Sequence, residues 1–367
     1  MRRFLFTLMT CILLLNGIRA QEKPIYYEKV EGNTFRFYFD KNYYLAEKNC
    51  EFKSIERVVK LNTKTQKFDG SFKDFNNNGR LILEGNYNNG VKEGLFKAYH
   101  SNGKIKWEAT FVNNIITGEV NHYYPNNKPA MNLLYTDSVI LINNFWLPEG
   151  VQKVINGNGT FAFSIPFEGY NRYGFEFYMA KGKIKDGKQD GKWRISGYNK
   201  GEEETLIATE SYQNGELILG NDYVADNSYK QTRFGIIPYD PFSRAESLTF
   251  KACNFDDVSN FNMMISKNLT EVFNLLDLKD FTEDSFEYSV KLDKYGDPSK
   301  FNFIKPTSFN HINNLLLNVL SNIDFYYPSL ENGLPIEDKL TIAGKIYKNS
   351  EGKITFLPII IHREKGQ

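Results

Sequence analysis

Glycines at 70, 94 and 118 stand 24 residues apart, and their surroundings repeat with the same period. A fixed period of two to five dozen residues marks a repeat architecture and decides the fold before any single segment is read. Each unit passes from its glycine through an aromatic stretch (Phe72 and Phe75, Phe96 and Tyr99, Tyr123 and Tyr124) to a polar turn. A strict alternation follows: Leu81, Leu83, Gly85, Tyr87; then Ile105, Trp107, Ala109, Phe111; then Pro129, Met131, Leu133, Tyr135. Period two with one apolar face is a half-buried strand. Asn78-Gly79, Asn89-Gly90 and Asn102-Gly103 are two-residue hairpin signals, because both residue types accept positive φ. Asn113-Asn114 and Asn126-Asn127 hold the corresponding places. The spacing therefore predicts two short strands and two tight turns per unit, building one antiparallel meander.

A diverged unit returns where Gly187 to Trp193 matches Gly90 to Phe96, followed by Leu206, Ala208, Glu210, Tyr212 and the turn Asn214-Gly215. The stretch from Asn143 to Tyr178 breaks the register and reads as further hairpins with lost marks. The Gly-x-aromatic strand, the Asn-Gly turn and the period resemble bacterial MORN-variant repeats, also found in YwqK-like proteins. That resemblance implies a hairpin array that contacts proteins, and no reaction. Two readings apply to Tyr87, Trp107 and Trp193: packing residues of the repeat, or an aromatic platform for a glycan or peptide, which requires exposed rings.

Past residue 225 the pattern changes. Residues 226–252, with Ile237-Pro238-Tyr239-Asp240-Pro241, read as a linker. Phe261, Ile265, Leu269 and Phe273 form a helical stripe, with Asp257 or Ser259 as its cap. Residues 288–304 read as a hairpin turning at Asp293 to Gly296. Ile312, Leu315, Leu316, Val319 and Leu320 form a second stripe capped by Ser308, and residues 339–347 and 353–362 read as strands. Helix, hairpin, helix, strand, with Tyr327-Pro328 and Asn332-Gly333-Leu334-Pro335, resembles the TonB C-terminal domain of Bacteroidetes-type proteins over 253–348. The resemblance implies strand addition by a partner peptide along a sheet edge. By position that edge holds Leu340, Ile342, Gly344 and Ile346, unless the hairpin 353–362 covers it.

The expected fold class is therefore mainly β plus α+β. An antiparallel hairpin-repeat meander over 21–225 precedes a small TonB-C-like domain over 253–367. Residues 1–20 read as a signal peptide: Arg2 and Arg3, an apolar run from Phe4 to Leu15, and Ala20 at the cut. The run is too short to span a bilayer comfortably, and an uncleaved anchor is the alternative. The expected location is the periplasm or envelope of a Gram-negative bacterium, with no stable membrane span in the mature chain.

Charge and chemistry narrow the function further. Lys+Arg 45 against Asp+Glu 44 gives a net charge of +1, or −2 without the leader's three arginines. This argues against a nucleic-acid partner held by bulk electrostatics. His100, His122, His311 and His362 have no metal-ligand spacing, and no nucleophile elbow, phosphate loop or dinucleotide fingerprint occurs. The reading is a non-enzymatic interaction protein with no cofactor or metal, whose partner is an envelope protein such as an outer-membrane receptor. The alternatives are a secreted carbohydrate-associated protein using the aromatic face, and an anchored TonB-type energy transducer. Cys50 and Cys253 fall in different domains, and two free, buried thiols are preferred to one disulfide.

Overall fold

The computed structural model describes residues 24–168, 171, 173–275, 281–323, 326–332, 334–357 and 359–366. The leader read over 1–20 lies outside the described residues, as does Gly333. From Tyr27–Glu31 to Asn227–Tyr229 the chain forms one 18-stranded sheet. Strands pair antiparallel with their neighbours in sequence, as in Lys67–Asn76 with Leu81–Asn88, and Ile105–Val112 with Ile115–Tyr123, except that Val91–Lys92 and Gly94–Tyr99 both pair with Leu81–Asn88. Asn89, Asn113, Asn114, Asn127 and Asn214 all take positive φ at the turns. The irregular stretch is also a set of hairpins, through Ile140–Trp146, Gln152–Ile155, Asn158–Pro166 and Phe177–Lys185.

The repeat glycines have a more specific role than opening a strand. Gly70, Gly118 and Gly191 lie inside strands, each where the register with the preceding strand slips. Each takes a φ near +70°, at 74°, 75° and 68°. They are bulge glycines, which bend and twist the ribbon once per unit. Neighbouring turns are also fastened to one another: the amides of Asn77, Asn102 and Asn126 donate to the carbonyls of Lys53, Pro125 and Pro148.

Alternation sends one residue in two to a single apolar strip that is continuous from Phe37 to Ala245. Rings run along it: Phe72 against Phe96 at 5.6 Å, Phe96 against Phe111 at 4.5 Å, Phe145 against Phe161 at 4.6 Å, and Phe161 against Trp193 at 5.8 Å. Burial of such rings supplies most of the driving force for a sheet of this kind.

The segment read as a linker covers that strip. Phe234 packs against Phe167, Tyr173 and Tyr178. Phe242, in the short helical turn Pro241–Ser247, packs against Phe96, Trp107 and Phe111. Leu45 and residues 249–251 then exchange backbone hydrogen bonds at the other end of the array. This return brings Cys253 beside Cys50, and the two are disulfide-bonded, with Cα atoms 5.5 Å apart. The free-thiol reading is thereby corrected. Distance in sequence concealed a strap that runs the length of the array.

The C-terminal lobe holds helices α1 (Phe255–Ser259), α2 (Phe261–Phe273) and α3 (Asn310–Ser321). They lie on a five-stranded sheet. The striped helix α2 starts from Asn260 with no side-chain cap, Asp257 lies within the preceding α1, which Asn254 caps, and Ser259 Oγ accepts from the Phe261 amide at 3.3 Å; Ser308 does not cap α3. Phe261, Ile265, Leu269 and Phe273 are all fully buried, with Ile312, Leu316 and Leu320, in a core separate from the strip.

Candidate interaction surfaces

Leu340, Ile342, Gly344 and Ile346 do not form an edge. Their strand, Asp338–Lys348, is the middle of the lobe's sheet. Leu340 faces Val290 on one side and Arg363 on the other, and Ile342 lies between Tyr288 and Ile361. Ile346 lies between Asp284 and Phe356, and Gly344 is opposite Phe286. After the turn at Asn349 to Gly352 the chain folds back and occupies the expected edge. One open edge is Pro298–Lys305, which pairs only with Glu283–Leu292 among the described residues; the opposite edge is made by Ile354–Phe356 and Ile360–Arg363. The first edge is the guarded one. It carries devices that discourage strand addition: Pro298 at its start, two register slips, and exposed lysines at 300 and 305.

The aromatic platform is also absent. Tyr87, Trp107 and Trp193 are 1%, 6% and 0% exposed. All three point into the strip, and the strap meets two of them. Glu246 accepts from the Tyr87 hydroxyl at 3.0 Å and from Lys92 at 2.7 Å, while Asp240 accepts from Trp107 Nε1 at 3.3 Å and Lys106 at 3.2 Å.

The buried ionisable groups fasten the array internally. Arg57 and Asp74, both with no solvent exposure, form a two-point ion pair at 2.7 and 2.8 Å. Phe72 lies 4.4 Å beneath the guanidinium. Burial pushes the Asp74 carboxyl up while Arg57 pulls it down. Burial likewise opposes the Arg57 charge, but Asp74 overcompensates and holds the guanidinium above its ordinary value. Glu210, pushed up by burial, accepts from Tyr212 at 2.8 Å and Tyr229 at 2.9 Å. Sequence reading missed Arg57, Asp74, Phe242 and Glu246. A signal existed for the first, since Arg57 sits in phase with Ile55, Val59 and Leu61 and so had to face inward. Glu246 had none, because its position depends on the strap.

The histidines stay apart: the His100 ring shares a hydrogen bond with the Tyr123 carbonyl at 2.7 Å, and His122 lies beside Trp107 in the strand register. Among the described residues no three His, Cys, Asp or Glu side chains are grouped to hold a metal. Nor is any helix there long and apolar enough to cross a membrane.

Several solvent-open concave features lie on the lobe. One groove of about 470 Å³ runs over the sheet face, lined by Ser285, Glu287, Lys305, Lys345, Leu357 and Ile360. Leu357 and Ile360 are exposed within it. A second cavity of about 760 Å³ lies between Asp293 to Tyr295, Glu331, Pro335 to Glu337, and Lys365. Each combines both signs of charge with some apolar surface, the composition of a protein-contact rim.

Residues 92–113 match the family described as "MORN repeat variant". The match covers the third and fourth repeat strands with their Asn113 turn, and the β-hairpin array around it is the architecture that match describes. No curated protein matches the chain. Among solved structures, one described as "Crystal structure of GtfA/B complex" aligns at 15% identity over 36% of this chain and 21% of that chain, with a TM-score of 0.15. The chain thus spans about a fifth of that structure's length. At that score the likeness carries no argument.

Proposed function

We propose that this chain is an exported, envelope-associated scaffold that makes protein contacts, with the hairpin array as its rigid body and the lobe over 253–367 as its contact module. The observation that carries the reading is the strap. It closes the array's apolar face with the chain's own residues, whereas the lobe's groove at Leu357 and Ile360 is an apolar recess open to a partner. The MORN repeat match supports a scaffold for protein or membrane contact. Export is supported by the Cys50–Cys253 disulfide, since such bonds persist in oxidising compartments.

The TonB-like resemblance belongs to this reading only as a guide to the lobe as a contact module. Strand addition at Leu340 to Ile346 is not part of it, so contact falls to the groove. The test is site-specific photo-crosslinking in intact cells. Crosslinker placed at Leu357 or Ile360 gives a protein adduct, and crosslinker at the exposed array strand residue Ile115 does not. Absence of adducts at both lobe positions overturns the assignment of roles. An anchored transducer is the second reading, motivated by the apolar run from Phe4 to Leu15. A mature protein starting at Gln21 excludes it, and one retaining Met1 revives it.

A further inference from the structure

The hairpin formed by Phe177–Lys185 and Lys188–Tyr198 has two unlike faces. Tyr178, Ala180, Ile184, Trp193 and Ile195 point into the strip and are buried. Lys181, Lys183, Lys185, Lys192 and Arg194 alternate with them and are exposed. With Lys188, these two strands and their turn carry six bases against two acids, Asp186 and Asp190. The register sets like charges opposite one another at two places, Lys181 against Arg194 and Lys185 against Lys188, with Lys183 against Asp190 between them. Like-charge pairs destabilise a sheet. In the first half of the array the outward charges cancel instead: Lys73 faces Glu84, Glu84 faces Lys97, and Lys97 faces Glu108. Among the described residues, Lys181 alone of the six has an ion pair, with Glu204 at 2.9 Å.

We propose that the outer face of this hairpin docks an acidic, extended segment of a partner protein. Alternate residues of a strand stand about 7 Å apart, the spacing of alternate side chains in any extended peptide, and adjacent strands lie about 4.8 Å apart. Lys181, Lys183 and Lys185 on one strand, with Lys192 and Arg194 on the next, therefore present two rows that match carboxylates at every second position. Beyond Lys192 the register runs through Ser211 to Leu219, which is exposed with Ile218 and offers an apolar flank to the same segment. The near-neutral whole chain confines this field to the patch and favours a local acidic segment over a long polyanion. The proposal rests on the protein-contact reading above and adds a second surface to it.

The test uses the chain from Gln21 onward and a fluorescent peptide of about a dozen residues that alternates Glu with Ser. A Gln-for-Glu peptide, phosphatidylglycerol vesicles and heparin are run in parallel. The Glu peptide is expected to bind, more weakly as salt rises, and the Gln peptide not to bind. The combined variant Lys183→Gln, Lys192→Gln, Arg194→Gln is expected to lose about tenfold in affinity, since each exposed charge contributes modestly. Lys73→Gln with Lys97→Gln changes it by less than about twofold on the same grounds. All five positions are exposed or half-buried on the outer face, and unchanged thermal melts establish that folding is retained. No binding of the Glu peptide at low salt overturns the proposal. So does equal loss in the two variants, or tighter binding to vesicles or heparin than to the peptide. Crosslinking at Leu357 and Ile360 reads the lobe, so the two assignments fail separately.

Discussion

Arg57 and Asp74 meet across adjacent strands with both side chains at 0% exposure, two hydrogen bonds between them and an aromatic ring beneath the guanidinium. Removing one partner strands a charge in the strip. Arg57→Ala or Asp74→Ala is expected to cost about 3–5 kcal/mol, whereas Arg57→Met combined with Asp74→Leu recovers most of that loss. Urea denaturation of the four proteins measures it. Additive single losses in the double variant would show that the pair is not a unit.

The disulfide joins residues 203 apart in sequence and fixes the strap's far end to the start of the array. The chain from Gln21 onward contains two cysteines. Thiol titration in denaturant is therefore expected to find none free before reduction and two after it. Cys50→Ser is expected to lower stability by about 2–5 kcal/mol. Two reactive thiols in the unreduced protein would restore the free-thiol reading.

Phe242, with Phe234, anchors the strap, and it is 5% exposed among three rings. Phe242→Ala is expected to cost about 3–5 kcal/mol by leaving a cavity. It also loosens the cover, so a dye that fluoresces on apolar surface should bind the variant below its unfolding transition and not the parent. Ile115→Ser, at a 66% exposed residue that opens a strand, is the control, expected to change stability by less than about 0.5 kcal/mol.

Two classes of glycine separate by experiment. A Cβ at Gly182 would stand 2.2 Å from the Trp193 ring, while one at Gly94, with φ +83°, meets nothing within 4 Å. Gly182→Ala is expected to cost about 1–3 kcal/mol through overpacking, and to shift the tryptophan emission. Gly94→Asn should be nearly neutral, because asparagine tolerates the left-handed region. An unshifted emission in Gly182→Ala would mean that Trp193 is not seated on that glycine.

These positions show what was legible in the sequence. The hairpins were, because turn chemistry and alternation are local: Asn89-Gly90 bends wherever it stands between two such runs. The α2 and α3 stripes were legible for the same reason. The exposure of Tyr87, Trp107 and Trp193 was not, since either face of a ribbon becomes its inside according to what covers it. The cover was 226–252, whose Pro238 and Pro241 hid a packed segment behind the look of a linker. The same non-local return explains the cysteines. Leu340 to Ile346 were misplaced because an edge is a property of the strand that follows, and here the chain after Gly352 fills it.

The last expectation concerns acid. His122 lies beside Trp107 under the strap, and its pKa is lowered from 6.5 to about 4, by burial first and Lys106 second, with Asp240 opposing both. The folded protein thus holds this ring neutral while the unfolded chain takes up a proton below pH 6.5. The unfolded state binds more protons across that window, so stability rises with pH there and falls as pH drops from 6.5 towards 4. A displacement of this size corresponds to about 3.4 kcal/mol at most. Glu210 and Asp40, whose pKa values burial raises, act in the opposite direction and favour folding as they protonate. The contribution of His122 is therefore read by difference. His122→Gln should flatten the acid limb of the stability curve between pH 6.5 and 4 relative to the parent, while leaving the slope above pH 7 unchanged. Parallel curves for the two proteins would show that the ring is already charged, or open to water, in the folded state.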